Sequence, residues 1–365
     1  MPPASKGNFP PASARHFASV VGHDLIKRYL LAALEKEVLP HALLFHGPKG
    51  VGKLSMAYAL TKHLNCGRGS VDECPCNMCR KITEGIFADV LLVEPRGAAG
   101  QITLSGWKPG KDDPDALQYY RFIDTRPLEG ARKVLIIRDA ERMNIALANY
   151  ILKLIEEPPS YLTLVLLTQR RGDVLTTIRS RCAPVKFSPL PMDEMRQLAR
   201  VVVGEEALQQ EVDALAHVGD GRPGQLPDYV GDTATARRRD LAHTLQLFQQ
   251  YGFVALFRAA SELQQETEGG RGGEQSDRVL NMLTTWFRDA AIVKCASPAT
   301  ADKLLVNSEI KAELQAFAQA LPMESLARAA DLIPHFKPFS SRQMDPNYVL
   351  ESLLLQIGRT MRPVS

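Results

Sequence analysis

Gly47-Pro48-Lys49-Gly50-Val51-Gly52-Lys53 has the spacing of a phosphate-binding loop. Glycines let a backbone curl until its N–H groups converge on phosphate oxygens, and a lysine adds a point charge. The short apolar run at 42–45 before the loop reads as a buried strand, and 55–64 after it reads as a helix. That helix would bring the positive end of its dipole to the same place. Strand, glycine loop and helix are the context the motif requires, so Gly47, Gly50, Gly52 and Lys53 are the candidate nucleotide-binding residues.

Two features of a hydrolysing site are missing. The full motif ends in Ser or Thr, whose hydroxyl holds Mg²⁺; here Leu54 stands there. Ser55 comes one residue late, and one residue turns a helix by about 100°, so its hydroxyl is expected to face elsewhere. After the apolar run 134–137, hydrolysing sites carry an Asp for Mg²⁺ and a Glu that positions water. Here Arg138 occupies the first place, where a cation repels Mg²⁺, and Asp139 is a shortened substitute in the second. The expectation is no Mg²⁺ binding and little or no ATP hydrolysis. Binding of ATP itself stays open, because the glycines and Lys53 survive. A shifted backbone that lets Ser55 or Asp139 recruit Mg²⁺ is the competing reading.

A third group is Cys66-x7-Cys74-x-Cys76-x2-Cys79. Four thiols within a polar stretch suit tetrahedral Zn²⁺ in a closed, structural site. Free thiols of a lost metal site and an iron–sulfur cluster are the alternatives. Cys182 and Cys295 lie far from this cluster, and both are expected to be buried packing residues.

These groups need a scaffold. The 365 residues suit two or three domains. A 45% hydrophobic and 23% charged composition is that of an ordinary globular chain. A net charge of +3 is too small to argue for nucleic-acid binding, and 7% aromatics disfavour a base-stacking surface. Apolar runs at 42–45, 90–93, 134–137 and 162–168 alternate with helical patterns at 25–38, 55–64, 117–126 and 144–157, the last stopped by Pro158-Pro159. Four such strands argue for a parallel α/β sheet covered on both faces. Residues 96–115 read as an exposed hairpin or loop. Beyond Pro191 helical spacing dominates, interrupted at Gly219–Gly224 and at a glycine-rich loop over 269–273. Leu280, Leu283, Phe287 and Ala290 share one packed helix face, and 348–357 is a final apolar helix. Residues 1–16 read as a disordered arm, no run of about 20 apolar residues suggests a membrane span, and the chain is expected to be cytoplasmic.

The order of these signatures resembles the bacterial DNA polymerase III clamp loaders, both the gamma/tau motor and delta-prime. The residues are 40–48 leading into the loop, the four-cysteine insert after the next helix, Asn149-Tyr150-Ile151-Leu152-Lys153-Leu154-Ile155-Glu156-Glu157-Pro158-Pro159, and Ser180-Arg181-Cys182. The likeness is specific over 17–190 and looser beyond, through 286–289 and 347–351. It implies an AAA+ P-loop core at 17–190 with the zinc module at 66–79, a helical lid at 191–236 and a helical collar at 237–365. It also implies a pentameric ring with gamma/tau-type motors and a delta-type subunit, which places a sliding clamp on primed DNA. The losses at 54 and 138 match delta-prime; an active gamma/tau-type motor is the alternative. Arg181, between Ser180 and Cys182, then corresponds to an arginine finger reaching a neighbour's ATP; a structural salt bridge is its plainer role. Thr168 falls where the family senses the γ-phosphate, and otherwise is a strand-end hydroxyl. Lys153 faces DNA phosphates or solvent. The lid arginine of the family aligns with Gly224 or with Arg222, depending on which glycine sets the register.

Overall fold

The computed structural model describes residues 16–66, 74, 76–95, 100–103, 121–231, 239–240, 242–243, 245, 272–297, 300–301, 304–307, 310–340 and 346–361. Of the arm expected at 1–16, residues 1–15 lie outside them and His16 is instead buried in a short 3₁₀ turn; most of the 96–115 segment, the first residues of the helix expected at 117–126 and the lid–collar boundary at 236–237 also lie outside. The chain divides into two compact units at Leu190 and Pro191.

In the first unit, β1 (Ala42–His46), β2 (Val90–Val93), β3 (Lys133–Ile137), β4 (Leu162–Thr168) and β5 (Ala183–Lys186) form one parallel sheet in the order β2-β3-β4-β1-β5. β3 and β4 are buried at every position, which explains their nearly continuous apolar runs. Side chains alternate across the sheet. Leu44, Leu135, Ile137, Leu164 and Leu166 share one core cluster with Leu147, Ile151 and Ile155. Leu43, Phe45, Val134, Ile136, Val165 and Leu167 share the other with Leu30, Met56 and Leu60. The α/β class expected from the sequence is therefore the one observed. The fifth strand was not among the four expected. Only Val185 of β5 is buried and Pro184 sits within it, as an edge strand allows, so it presents no apolar run.

The helices of this unit are α1 (Asp24–Glu35), α2 (Lys53–Asn65), α3 (Asn77–Glu84), α4 (Ile145–Glu156) and the short α5 (Thr176–Arg179). Asn144 caps α4, its side chain accepting from the Leu147 N–H at 2.9 Å.

Three buried polar side chains fix the stretch entering β3. The fully buried Asp89 carboxylate accepts from the backbone N–H groups of Leu128, Glu129 and Gly130 at 2.7–3.0 Å. Asn65 Oδ1 accepts from the Arg132 N–H at 2.9 Å. Buried Lys133 donates to the Phe122 carbonyl at 2.8 Å and the Thr125 hydroxyl at 2.7 Å, with its ammonium over the Phe122 ring.

In the second unit, α6 (Met192–Val203) packs on α7 (Gln209–Gly219), and both contact the 3₁₀ segment Pro223–Tyr229. Further along are α8 (Gly272–Cys295), α9 (Lys311–Ala320), α10 (Met323–Ser340) and α11 (Pro346–Met361). Leu280, Leu283, Phe287 and Ala290 do form one buried face, joined by Trp286, Phe317, Leu353 and Ile357. Buried Asp289 accepts from the Val306 and Asn307 N–H groups and from Asn307 Nδ2 at 2.8–3.0 Å. Two expectations are corrected. Gly272 and Gly273 open α8 instead of belonging to a loop, the rest of which lies outside the described residues. Cys295 is exposed, its Sγ 3.8 Å from Met323 Sδ, because it ends α8 beyond the last buried turn.

Asp89→Ala removes the buried acceptor of three partly buried N–H groups, which costs about 1 kcal/mol for each bond lost. The urea transition of the first unit should move to markedly lower denaturant, by about 3 kcal/mol or more, with Asp89→Asn, which keeps an oxygen, lying between. An unchanged midpoint would show that these groups find water instead.

Candidate functional site

The phosphate loop leaves β1 at its C-terminal end. Gly50 and Gly52 sit at φ 82° and 99°, in the left-handed region that glycine adopts without strain. Gly47 is needed for space as well: a Cβ there would lie 2.3 Å from the Phe187 carbonyl oxygen. The Gly47 N–H donates to the Thr168 carbonyl at 3.3 Å, and His23 Nε2 lies 2.7 Å from the Val51 carbonyl, so β4 and α1 both hold the loop.

Lys53 folds back on the loop. Its Nζ donates to the Gly47 carbonyl at 2.6 Å and the Pro48 carbonyl at 2.7 Å. Burial brings its ammonium down to about 8, with Asp139 and Glu141 opposing and Arg138 and Lys49 assisting. Leu54 packs against the core beneath α2, and Ser55 is exposed, as the one-residue offset predicts.

The acidic side of the site is rebuilt. Arg138, where a magnesium carboxylate would stand, pairs with Glu94 at 2.8 Å. Asp139 adopts φ 54° and begins the 3₁₀ turn Ala140–Arg142. The sequence reading passed over Glu141, whose buried Oε2 has no hydrogen-bond partner and whose carboxyl is pushed up by burial. An acid two residues beyond a broken acidic pair was the available signal. Thr168 is buried at the end of β4, and its hydroxyl donates to the Arg170 carbonyl at 3.1 Å.

A second group lies around α5. Arg181 Nε pairs with Glu156 Oε1 at 2.9 Å, both side chains being 45% exposed. Arg181 Nη1 reaches the Thr177 carbonyl at 3.3 Å and Ser180 Oγ at 3.4 Å, while the Ser180 hydroxyl donates to the Thr177 carbonyl at 3.0 Å. Cys182 is buried, and burial pushes its thiol up to about 11, so it packs and does not act as a nucleophile. Lys153 is exposed on α4. In the second unit, Arg222 pairs with Asp220 at 3.3 Å and precedes the 3₁₀ segment containing Gly224.

The structure brings Cys66, Cys74, Cys76 and Cys79 together, with all four Sγ atoms within 4.8 Å of one another. Cys66 Sγ is 3.7 Å from the sulfurs of both Cys74 and Cys76. Tetrahedral thiolates at metal–sulfur bonds of about 2.3 Å have edges of about 3.8 Å, so these residues could hold a metal ion. Cys66 ends α2, and Cys76 begins α3, its sulfur accepting from the Cys79 N–H at 3.3 Å. Burial opposes ionisation of Cys76, but that N–H and the neighbouring thiols bring it down to about 7, while burial and its neighbours raise Cys79.

Residues 22–191 match the family described as "DNA polymerase III, delta subunit". The chain is 37% identical to the DNA polymerase III subunit delta' of Bacillus subtilis over 166 residues, covering 45% of this chain and 47% of that one. It is 25% identical to the tau subunit of the same organism over 336 residues, covering 87% and 57%. With the tau subunit of Escherichia coli it shares 31% over 223 residues, covering 60% and 33%. The chain thus spans between 33% and 57% of the length of these relatives. A gamma subunit-related protein of Thermotoga maritima superposes with a TM-score of 0.40 at 18% identity, covering 91% of this chain and 99% of that one. A glycine loop after the strand between β4 and β5 and the match over 22–191 fall on the same part of the chain: these residues are similar to bacterial DNA polymerase III subunits of the delta' and gamma/tau kinds, and they form a parallel α/β core with a helical region after it.

Proposed function

We propose that this chain is a delta-prime-type clamp-loader subunit, which hydrolyses little or no ATP itself and lends Arg181 to the ATP site of a neighbouring subunit. The observation that carries this reading is Arg138 held by Glu94 at 2.8 Å, a cation fixed where a magnesium carboxylate would have to stand. Leu54, packed against the core, supports it, since it offers no hydroxyl at the loop. Arg181 is half-exposed and stands just before the edge strand β5, so its guanidinium is open to a second chain. A guanidinium facing a γ-phosphate stabilises charge that develops as the phosphoryl group transfers. Within such a complex we assign residues 17–190 to the core, 191–236 to a lid and 237–365 to an oligomerising collar. The partners would be gamma/tau-type motors and a delta-type subunit in a five-membered ring, with the sliding clamp and primed DNA bound by the assembly. Among the described residues no helix is long and apolar enough to cross a membrane.

In this reading the four cysteines hold structural Zn²⁺ with no open coordination position. Zinc there would fasten the end of α2 to the start of α3.

Three measurements test these assignments. The first is the DNA- and clamp-stimulated ATPase of the reconstituted loader with Arg181→Ala. Turnover at the neighbouring site should fall by about 10³-fold or more while assembly stays intact; no change in an assembled complex sinks the trans-catalytic role. The second is metal content: the purified chain should carry about one zinc per chain, lost together with thermal stability in Cys66→Ser. Full stability in a metal-free chain would contradict it. The third concerns Lys53. Any nucleotide held by the loop in EDTA needs the charged ammonium, which is present below about 8 and lost above it. Affinity should therefore weaken about tenfold between pH 7 and pH 9, and a flat profile would show that Lys53 does not hold the phosphates.

A further inference from the structure

We infer that Glu156 is the positioning residue for Arg181, fixing the guanidinium so that one of its nitrogens remains for a phosphoryl oxygen of another chain. The inference rests on the trans-acting reading of Arg181 and adds to it the residue that presents the arginine.

The geometry is one-sided. Glu156 takes the Nε of Arg181 at 2.9 Å, and the Thr177 carbonyl and Ser180 hydroxyl take Nη1. Nη2 makes no hydrogen bond among the described residues, and the side chain is half-exposed. A guanidinium carries five donors in a fixed fork, so holding two of its nitrogens sets the direction of the third. The ligand such a group suits is a planar or tetrahedral oxyanion.

Both ends of the pair rest on rigid structure. Ile151 and Ile155 bury α4 against the sheet, and His41 Nε2 lies 2.8 Å from the Ile155 carbonyl, one residue before Glu156. On the other side Ile178, three residues before Arg181, and Cys182, directly after it, are buried.

Fold stability does not account for the carboxylate. Half-exposed ion pairs add little, and an acid in the last turn of a helix faces the negative end of its dipole. Glu156 occupies that last turn, with Glu157 after it. What the pair supplies is a single orientation of an otherwise flexible four-bond side chain, and catalytic groups lose rate steeply when displaced by an ångström.

The test uses the reconstituted loader with Glu156→Ala, Glu156→Asp, Arg181→Ala and the double variant, reading kcat and KM for ATP and the amount of assembled complex. Glu156→Ala should lower the Arg181-dependent kcat between about 3- and 100-fold, with KM and assembly unchanged, because the finger acts on the transition state. Glu156→Asp should recover part of the rate, and Glu156→Ala should add nothing in the Arg181→Ala background. If Arg181→Ala lowers kcat but Glu156→Ala leaves it unchanged or raises it, the positioning role is wrong and the finger stands. An equal loss from Glu156→Ala with and without Arg181 makes Glu156 merely structural. If Arg181→Ala itself has no effect, the finger reading and this inference fall together.

Discussion

β1 is paired on both sides, with β4 in the register Leu44↔Leu166 and with β5 in the register Leu44↔Pro184. Much else follows from that placement. A central parallel strand must be apolar on both faces, which leaves its C-terminal end as the place where polar backbone emerges. The glycine loop emerges there, with the ends of β4 and β5 on either side. Its first residue must be glycine because the Phe187 carbonyl, just past β5, fills the space of a side chain. Its N–H is spoken for by Thr168, at the end of β4. The loop is thus shaped by its neighbouring strands before any ligand arrives.

The electrostatics of the loop follow from one exchange of sign. With Arg138 in the place of a carboxylate, Lys53 has a cation among its neighbours beside the acids Asp139 and Glu141. Arg138 is itself neutralised by Glu94. Lys53 is left to the nearest acceptors, the carbonyls of Gly47 and Pro48. Both cations, Lys53 and Arg138, are satisfied by the chain's own groups, which offsets the cost of separating them from water.

The core strands were legible because burial on both faces writes itself as a continuous apolar run, as at 162–168. The loop was legible because phosphate geometry demands glycines at fixed spacing. β5 was not, since an edge strand buries one side chain, Val185, and tolerates Pro184. The buried acids Asp89 and Asp289 gave no sign either: each is satisfied by backbone N–H groups 17 to 41 residues away, and a backbone donor has no residue type to read. Glu94, Glu141 and Glu156 look like ordinary acids until the sheet brings them to Arg138, to Lys53 and to Arg181. The cysteines were legible because four thiols in fourteen residues have little other use, whereas Cys295 carried only the general tendency of cysteine to be buried.

α2 joins two of these features. It begins at Lys53 and ends with Cys66 as its C-cap, and thirteen residues at a rise of 1.5 Å make about 20 Å. The phosphate loop and the cysteine cluster are therefore opposite ends of one element, buried along its length through Met56, Ala57, Ala59 and Leu60. The near end is fixed by glycine conformations and by Lys53 bonding to its own loop. The far end has four sulfurs at distances that four-fold coordination would satisfy, and without a shared cation thiolates so close would repel one another. A metal there would constrain the helix from the end opposite the glycine loop, so the two ends of α2 would be held by unrelated chemistry, carbonyl hydrogen bonds at Lys53 and sulfur coordination at Cys66.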